Sequence, residues 1–250
     1  MSRVSGLDPS PRAAYRRHRT EDPHPPAWRN FYGRRSGKTL RASQKTYLSE
    51  DLESLRPRGI TREENPARDL LDPATIFGND NPVWLEIGFG GGEHLVHMAA
   101  TYPQVNIIGA EPFINGVAML LGKIRAAGVT NLAVHPGDVR DLMDVLPDGA
   151  IARAFLNYPD PWPKTRHHRR RFVTQGYLVP LHRILAPGAE FRVATDIPSY
   201  MEQALEEAPK AGFTLSAHTS APWADWISTR YEQKALREGR TPDYATFHRP

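Results

Sequence analysis

The chain has no cysteine. A disulfide framework, a thiolate zinc site and a cysteine nucleophile are therefore excluded by inventory. No stretch approaches the roughly 18 to 20 consecutive apolar residues of a membrane-spanning helix, and no apolar segment follows the first arginines as a secretion signal requires. The expectation is a soluble, cytoplasmic protein with no membrane contact. Biased composition is missing too: 40% hydrophobic and 24% charged residues over 250 positions fit one globular domain, not collagen, a coiled coil or wholesale disorder.

The net charge of +4 conceals an asymmetry. Residues 1–45 hold eleven Lys and Arg against three Asp and Glu, so this stretch carries +8 and the rest of the chain is negative by four. Tyr15, Trp28, Phe31 and Tyr32 lie among Arg16, Arg17, Arg19, Arg29, Arg34 and Arg35. Such cations attract a phosphate backbone through counterion release, and the rings can stack on bases. A solvated tail is the alternative, and Pro23-His-Pro-Pro26 argues against fixed structure before Trp28. The chain divides into a basic, partly disordered N-terminal arm over 1–60 and a folded domain over 61–250. A second basic run, Lys164-Thr-Arg-His-His-Arg-Arg-Arg171, follows a predicted strand end, where open parallel sheets bind ligands.

From residue 83 onward, short apolar runs alternate with helical periodicity, the pattern of a doubly wound, mostly parallel α/β sheet. Strands are expected at Val83–Gly88, Asn106–Glu111, Leu132–His135, Ile151–Asn157 and Glu190–Thr195. Thr214–Ser216 and Ala245–His248 supply closing strands, which makes seven. Apolar stripes predict helices ending at Gly128 and before Pro147, with two more over 172–185 and 197–211.

The first strand runs into Gly88-Phe-Gly-Gly-Gly92 and then a helix-like segment. Glycines here permit a tight turn and close approach of a ligand, and the helix start presents free N–H groups. A dinucleotide fingerprint counted from Gly88 needs its third glycine at 93, where Glu93 stands, which disfavours a nicotinamide oxidoreductase. Glu86, two residues before Gly88, repels a pyrophosphate and attracts a cationic amino acid moiety. S-adenosylmethionine (AdoMet) has that profile: a sulfonium, an ammonium and no phosphate. Glu111 closes the second strand, where a carboxylate can accept from both ribose hydroxyls. Asp138 is placed equally well to reach an adenine amine or to cap the helix that follows it.

Together the motifs Leu85-Glu-Ile-Gly-Phe-Gly-Gly-Gly92, Gly109-Ala-Glu-Pro112, Tyr158-Pro-Asp-Pro-Trp-Pro-Lys164 with its basic run, Ala194-Thr-Asp196 and Thr229-Arg-Tyr-Glu232 resemble those of the bacterial tRNA (guanine-N7-)-methyltransferases. Asn30-Phe-Tyr-Gly-Arg-Arg35 and Gly37–Gln44 are similar to that family's N-terminal element, and the likeness spans about residues 28 to 248. The resemblance implies a class I AdoMet-dependent methyltransferase fold and methylation of N7 of guanine 46, in the tRNA variable loop. It implies that Glu86, Gly88, Gly90, Glu111, Asp138 and Asp160 contact AdoMet, with Asp160 catalytic. Lys164, Asp196, Thr229, Arg230, Tyr231 and Glu232 would contact the substrate. Arg230 and Tyr231 depart from the family's usual Lys and Phe, and Gln233–Gly239 departs from its usual arginine-glycine run.

Guanine N7 carries a free lone pair at neutral pH, so methyl transfer needs no general base and rests on positioning and electrostatics. Asp160, between two prolines, can hold the cationic purine edge, and Tyr158 or Trp162 can stack on it. Lys164, Arg166, Arg169, Arg170 and Arg171 read as phosphate contacts. Local alternatives stay open: an Asp-Pro turn at Asp160, a helix cap at Asp196, and a capping box at Thr229 and Glu232. His167 and His168 lack the companion ligands of a metal site, and no metal is expected. A noncatalytic RNA-binding protein on the same fold is the competing class.

Overall fold

The computed structural model describes residues 31–250, and Gly33–Pro250 form one compact unit. The arm residues Tyr15, Arg16, Arg17, Arg19, Trp28 and Arg29 lie outside the described residues. The apolar runs form β1 (Val83–Ile87), β2 (Asn106–Ala110), β3 (Leu132–His135), β4 (Ile151–Asn157), β5 (Leu185–Thr195), β6 (Thr214–Thr219) and β7 (Asp243–His248). They make one seven-stranded sheet in the order β3-β2-β1-β4-β5-β7-β6. The first five pair in parallel, while β7 runs antiparallel between β5 and β6. Every residue of β1, β2 and β3 is buried, as expected of parallel strands covered on both faces.

Two layers of helices supply that cover. On one face lie α1 (Ala42–Glu50), α2 (Leu52–Leu55), α4 (Glu93–Thr101) and α5 (Ile114–Ala127), whose Leu95, Met98, Val117, Leu120 and Leu121 pack on Trp84, Ile107 and Phe155. Arg125 of α5 grips Asp51 (2.5 Å) and Glu50 (2.6 Å) and fastens the first two helices. On the other face lie α3 (Pro73–Phe77), α6 (Val139–Val145), α7 (Gln175–Ile184) and α8 (Pro198–Lys210), with Leu142, Leu178, Leu181, Tyr200 and Met201 in the core. Gly128 ends α5 in the left-handed conformation (φ 65°) that its missing Cβ allows.

Over β4, β5 and β7 the first face has a strap in place of a helix, the segment leading to α9 (Arg230–Arg237). Trp223 donates to Thr246 (2.9 Å), and Asp225 accepts from Arg192 (2.8 Å) and from the Tyr102 hydroxyl (3.1 Å). Several boundaries differ from expectation: β1 and β2 each end one residue earlier, at Ile87 and Ala110, β6 runs on to Thr219 and β7 begins at Asp243. β5 begins at Leu185 rather than Glu190, because Ala186-Pro-Gly-Ala189 is carried as an irregularity inside the strand and not as a turn before it. α7 begins at Gln175, not 172: the amide of Phe172 donates to the Tyr200 hydroxyl (3.1 Å), and Thr174, just before the helix, is still extended. No described helix is long and apolar enough to cross a membrane.

Candidate active site

The parallel strands end on one edge of the sheet, where loops can converge on a ligand. After β1 the glycine turn holds Gly88 (φ 68°), Gly90 (φ 56°) and Gly92 (φ 76°) in the left-handed region. A Cβ on Gly88 would meet nothing within 4 Å, so the turn faces open space there. Its back is closed: a Cβ on Gly92 would strike Leu120, and one on Gly116 would strike the Gly90 carbonyl. Lys123 donates to the Gly91 carbonyl (2.7 Å) and pairs with Glu93 (3.1 Å). The turn is thus packed on α5 and open toward the strand ends.

Glu86, on β1, is buried, with Oε2 lying 2.8 Å from His94 Nδ1. The His94 ring rests between Phe155 (4.9 Å) and Trp226 (5.1 Å). Glu111 follows β2; its Oε2 accepts from Gly90 N (2.8 Å) and its Oε1 from Phe113 N (2.8 Å). Burial pushes this carboxyl up to about 7, against those two amides, which favour the charged form; Asp160 raises it further and Arg230 opposes. Asp160 and Arg230 are therefore each near enough to act on the Glu111 carboxylate.

Asp138 caps α6, accepting from Arg140 N (3.0 Å), and also takes the Arg140 guanidinium (2.9 Å). The capping geometry is thus realised. Asp160 is exposed in the loop after β4, between Tyr158 (φ 49°) and Trp162 (φ 41°), both in the left-handed region rare for bulky residues. Asn157, just before it, is 91% buried, and neither polar atom of its carboxamide has a hydrogen-bond partner. Lys164 is exposed at the start of a 3-10 helix, Thr165–Arg170, that the basic run forms.

Thr229 caps α9, its hydroxyl accepting from Glu232 N (3.3 Å). The Glu232 carboxylate is buried and accepts from Trp226 Nε1 (3.0 Å) and from the Tyr244 hydroxyl. Burial, with Tyr244 and Glu232 facing it, pushes the Tyr158 phenol up. Arg230 and Tyr231 cover the glycine turn, since a Cβ on Gly91 would meet the Arg230 guanidinium at 2.5 Å and one on Gly90 the Tyr231 ring at 3.0 Å. Asp196 does not cap α8. Ile197 holds that place, its amide reaching Thr195 Oγ1 (3.2 Å), while Asp196 binds Arg240 (2.5 Å).

The structure thus gathers the glycine turn, Glu111, Asp160, Arg230 and Tyr231 on one edge, with Glu86 and Glu232 buried in its wall. Arg171 departs from the phosphate-contact reading: it is 1% exposed. His94, Asn157, Trp226, Tyr244 and Arg240 were not singled out from the sequence. The tryptophan pair Trp223 and Trp226 just ahead of Thr229 was the one available hint.

A family described as "Putative methyltransferase" matches residues 80–243. The tRNA (guanine-N(7)-)-methyltransferase of Paracoccus denitrificans is 74% identical over 228 residues, covering 91% of this chain and 97% of that one. Its namesake from Cereibacter sphaeroides is 74% identical over 224 residues (90% and 92%), and that from Rhodospirillum rubrum 44% over 227 (88% and 87%). Among solved structures, the 16S rRNA methyltransferase KamB superposes with a TM-score of 0.54 at 16% identity, covering 73% of this chain and 95% of that one. That likeness concerns the fold, a seven-stranded α/β sheet of the class I methyltransferase type. By its motifs and by these relatives, the chain belongs to the tRNA (guanine-N(7)-)-methyltransferase family.

Proposed function

We infer that this protein transfers a methyl group from AdoMet to N7 of a guanine in tRNA, and propose guanine 46 of the variable loop as the target. The observation that carries the reading is the convergence of the open glycine turn, Glu111, the Asp160 loop and the Arg230–Tyr231 cover on one sheet edge. The residues fit the methyl donor: Gly88 faces open space, the Glu111 carboxylate is anchored at the end of β2 by the Gly90 and Phe113 amides, and the unpartnered Asn157 carboxamide offers a donor and an acceptor. When bound, AdoMet supplies an electrophilic methyl on a sulfonium.

Gly88 and Gly90 let the backbone approach the donor closely, and Glu111 takes its hydroxyls. Asp138 contacts the adenine side while capping α6. Glu86 acts through the His94 pair, from beneath the turn. Asp160 holds the positive charge that reaches the purine as N7 is alkylated. Tyr231 and Arg230 meet the base from the α9 side, Thr229 and Glu232 set that helix in place, and Asp196 works with Arg240 at the edge. Lys164, Arg166, Arg169 and Arg170, with the basic arm, hold the phosphates of tRNA in the cytoplasm. The test is incubation with tRNA and methyl-labelled AdoMet, then cleavage specific for N7-methylguanosine. Label at the variable-loop guanine, lost in Asp160→Ala, supports the reading; a labelled base elsewhere refutes the proposed position.

A further inference from the structure

Seven of the eight residues from Lys164 to Arg171 are at least partly exposed, and Arg171 alone is buried. Its guanidinium meets no carboxylate among its hydrogen-bond partners. Nε donates to the Pro161 carbonyl (3.0 Å), Nη1 to the Ser199 carbonyl (2.7 Å) and Gln203 Oε1 (3.2 Å), and Nη2 to Ser199 Oγ (3.0 Å). Its carbon lies 5.1 Å from the centre of the Tyr200 ring. Four neutral acceptors and an aromatic face, read by one planar fork, fix geometry rather than neutralise charge.

What the fork fixes is the loop of Asp160. Pro159, Pro161 and Pro163 give that loop few amides with which to hold itself. Tyr158 and Trp162, either side of Asp160, sit in a strained region that persists only where the surroundings over-determine it. One end is tied by Tyr158 N to the Ala194 carbonyl of β5 (2.8 Å). Beyond Asp160, Trp162 meets the Arg170 guanidinium (5.0 Å) and the His167 ring (6.0 Å), and the hydrogen-bonded tie from Pro161 is Arg171, which reaches to the first turn of α8. Its backbone meanwhile closes the basic 3-10 helix, donating to the His168 carbonyl (3.0 Å).

We propose that Arg171 is a positioning residue for methyl transfer, a buried brace that locks the Asp160 loop to α8 and to the basic turn and touches no RNA. The proposal rests on the methyltransferase reading above. It separates Arg171 from Arg169, its exposed neighbour in the same run, by mechanism. Arg169 acts on binding, Arg171 on turnover.

The experiment compares wild type, Arg171→Lys, Ser199→Ala and Arg169→Ala by steady-state kinetics on tRNA and by the salt dependence of tRNA affinity. For Arg171→Lys we expect kcat to fall 30- to 100-fold, the scale of a roughly 1 Å misplacement, with KM and the slope against log salt unchanged. Ser199→Ala, which removes one acceptor and leaves the guanidinium, gives the same split at about threefold, so a folding defect in the lysine variant leaves the test decisive. Arg169→Ala raises KM with kcat intact and lowers the salt slope by about one phosphate contact. Wild-type kcat in Ser199→Ala, or in a folded Arg171→Lys, overturns the proposal. A wild-type protein that methylates no tRNA overturns the functional reading itself, whereas active wild type with either of those variant results overturns the brace alone.

Discussion

Two buried groups titrate in opposite senses, and removing one exposes the other. Burial raises Glu111 from an ordinary 4.5 to about 7. Burial lowers His135, at the end of β3, from 6.5 to about 4. At about 1.4 kcal/mol per pH unit, each displacement is worth about 3 kcal/mol once fully expressed. The folded state holds the Glu111 proton more tightly than the unfolded chain does, so this stabilisation is complete below 4.5 and is lost as pH rises through 7. His135 works the other way: the folded state keeps it neutral, so its stabilisation is complete above 6.5 and is lost as pH falls through about 4. Between pH 4.5 and 6.5 the two nearly cancel. Glu111→Gln removes one arm. Relative to wild type it should gain stability at pH 8, less about 1 kcal/mol because the amide satisfies only one of the two backbone N–H groups. That gain should vanish on acidification, with the difference between the two proteins changing by about 3 kcal/mol from pH 8 to 4. Urea denaturation of both proteins across that range measures it. Parallel stability profiles would refute the assignment of a raised carboxyl to Glu111. AdoMet affinity offers an independent reading: a cationic donor favours the ionised carboxylate, so wild-type affinity should climb with pH through about 7 and be flat in the variant.

Asp160→Asn keeps the loop's shape and removes its charge; single-turnover methylation at saturating AdoMet should slow by roughly 10²- to 10³-fold. Gly116→Ala drives a methyl into the Gly90 carbonyl, so urea melts should show about 1–3 kcal/mol of destabilisation, together with weakened AdoMet binding from a displaced turn. Trp226→Phe leaves the buried Glu232 without its indole donor, for an expected loss of about 1.5–3 kcal/mol in thermal or urea unfolding; an unperturbed stability would show that Glu232 does not depend on it.

The parallel strands and the glycine turn were legible because their signals are local: a buried run of apolar residues reads as a parallel strand, and glycine at a strand end reads as a turn. Thr229 was half legible. Its cap spacing was right, but the Glu232 side chain turns away to Trp226 and Tyr244 rather than back along the helix. Asp196 was open to a capping reading that its ion pair with Arg240, made across more than forty residues of chain, displaces. Arg171 was illegible for a deeper reason. In a run of like charges nothing in sequence distinguishes the guanidinium that faces inward, because its acceptors are backbone carbonyls and neutral side chains supplied by distant segments.

The order of strands in space differs from their order in the chain. β7, the last in sequence, fills an interior slot between β5 and β6 and carries Tyr244, which binds Glu232. Until it arrives, β5 and β6 each present an open ladder, and the Glu232 carboxylate lacks one of its donors. During vectorial synthesis β1 to β4, with the glycine turn, Glu111 and Asp138, therefore emerge well before the strand whose Tyr244 completes the hydrogen bonds of Glu232.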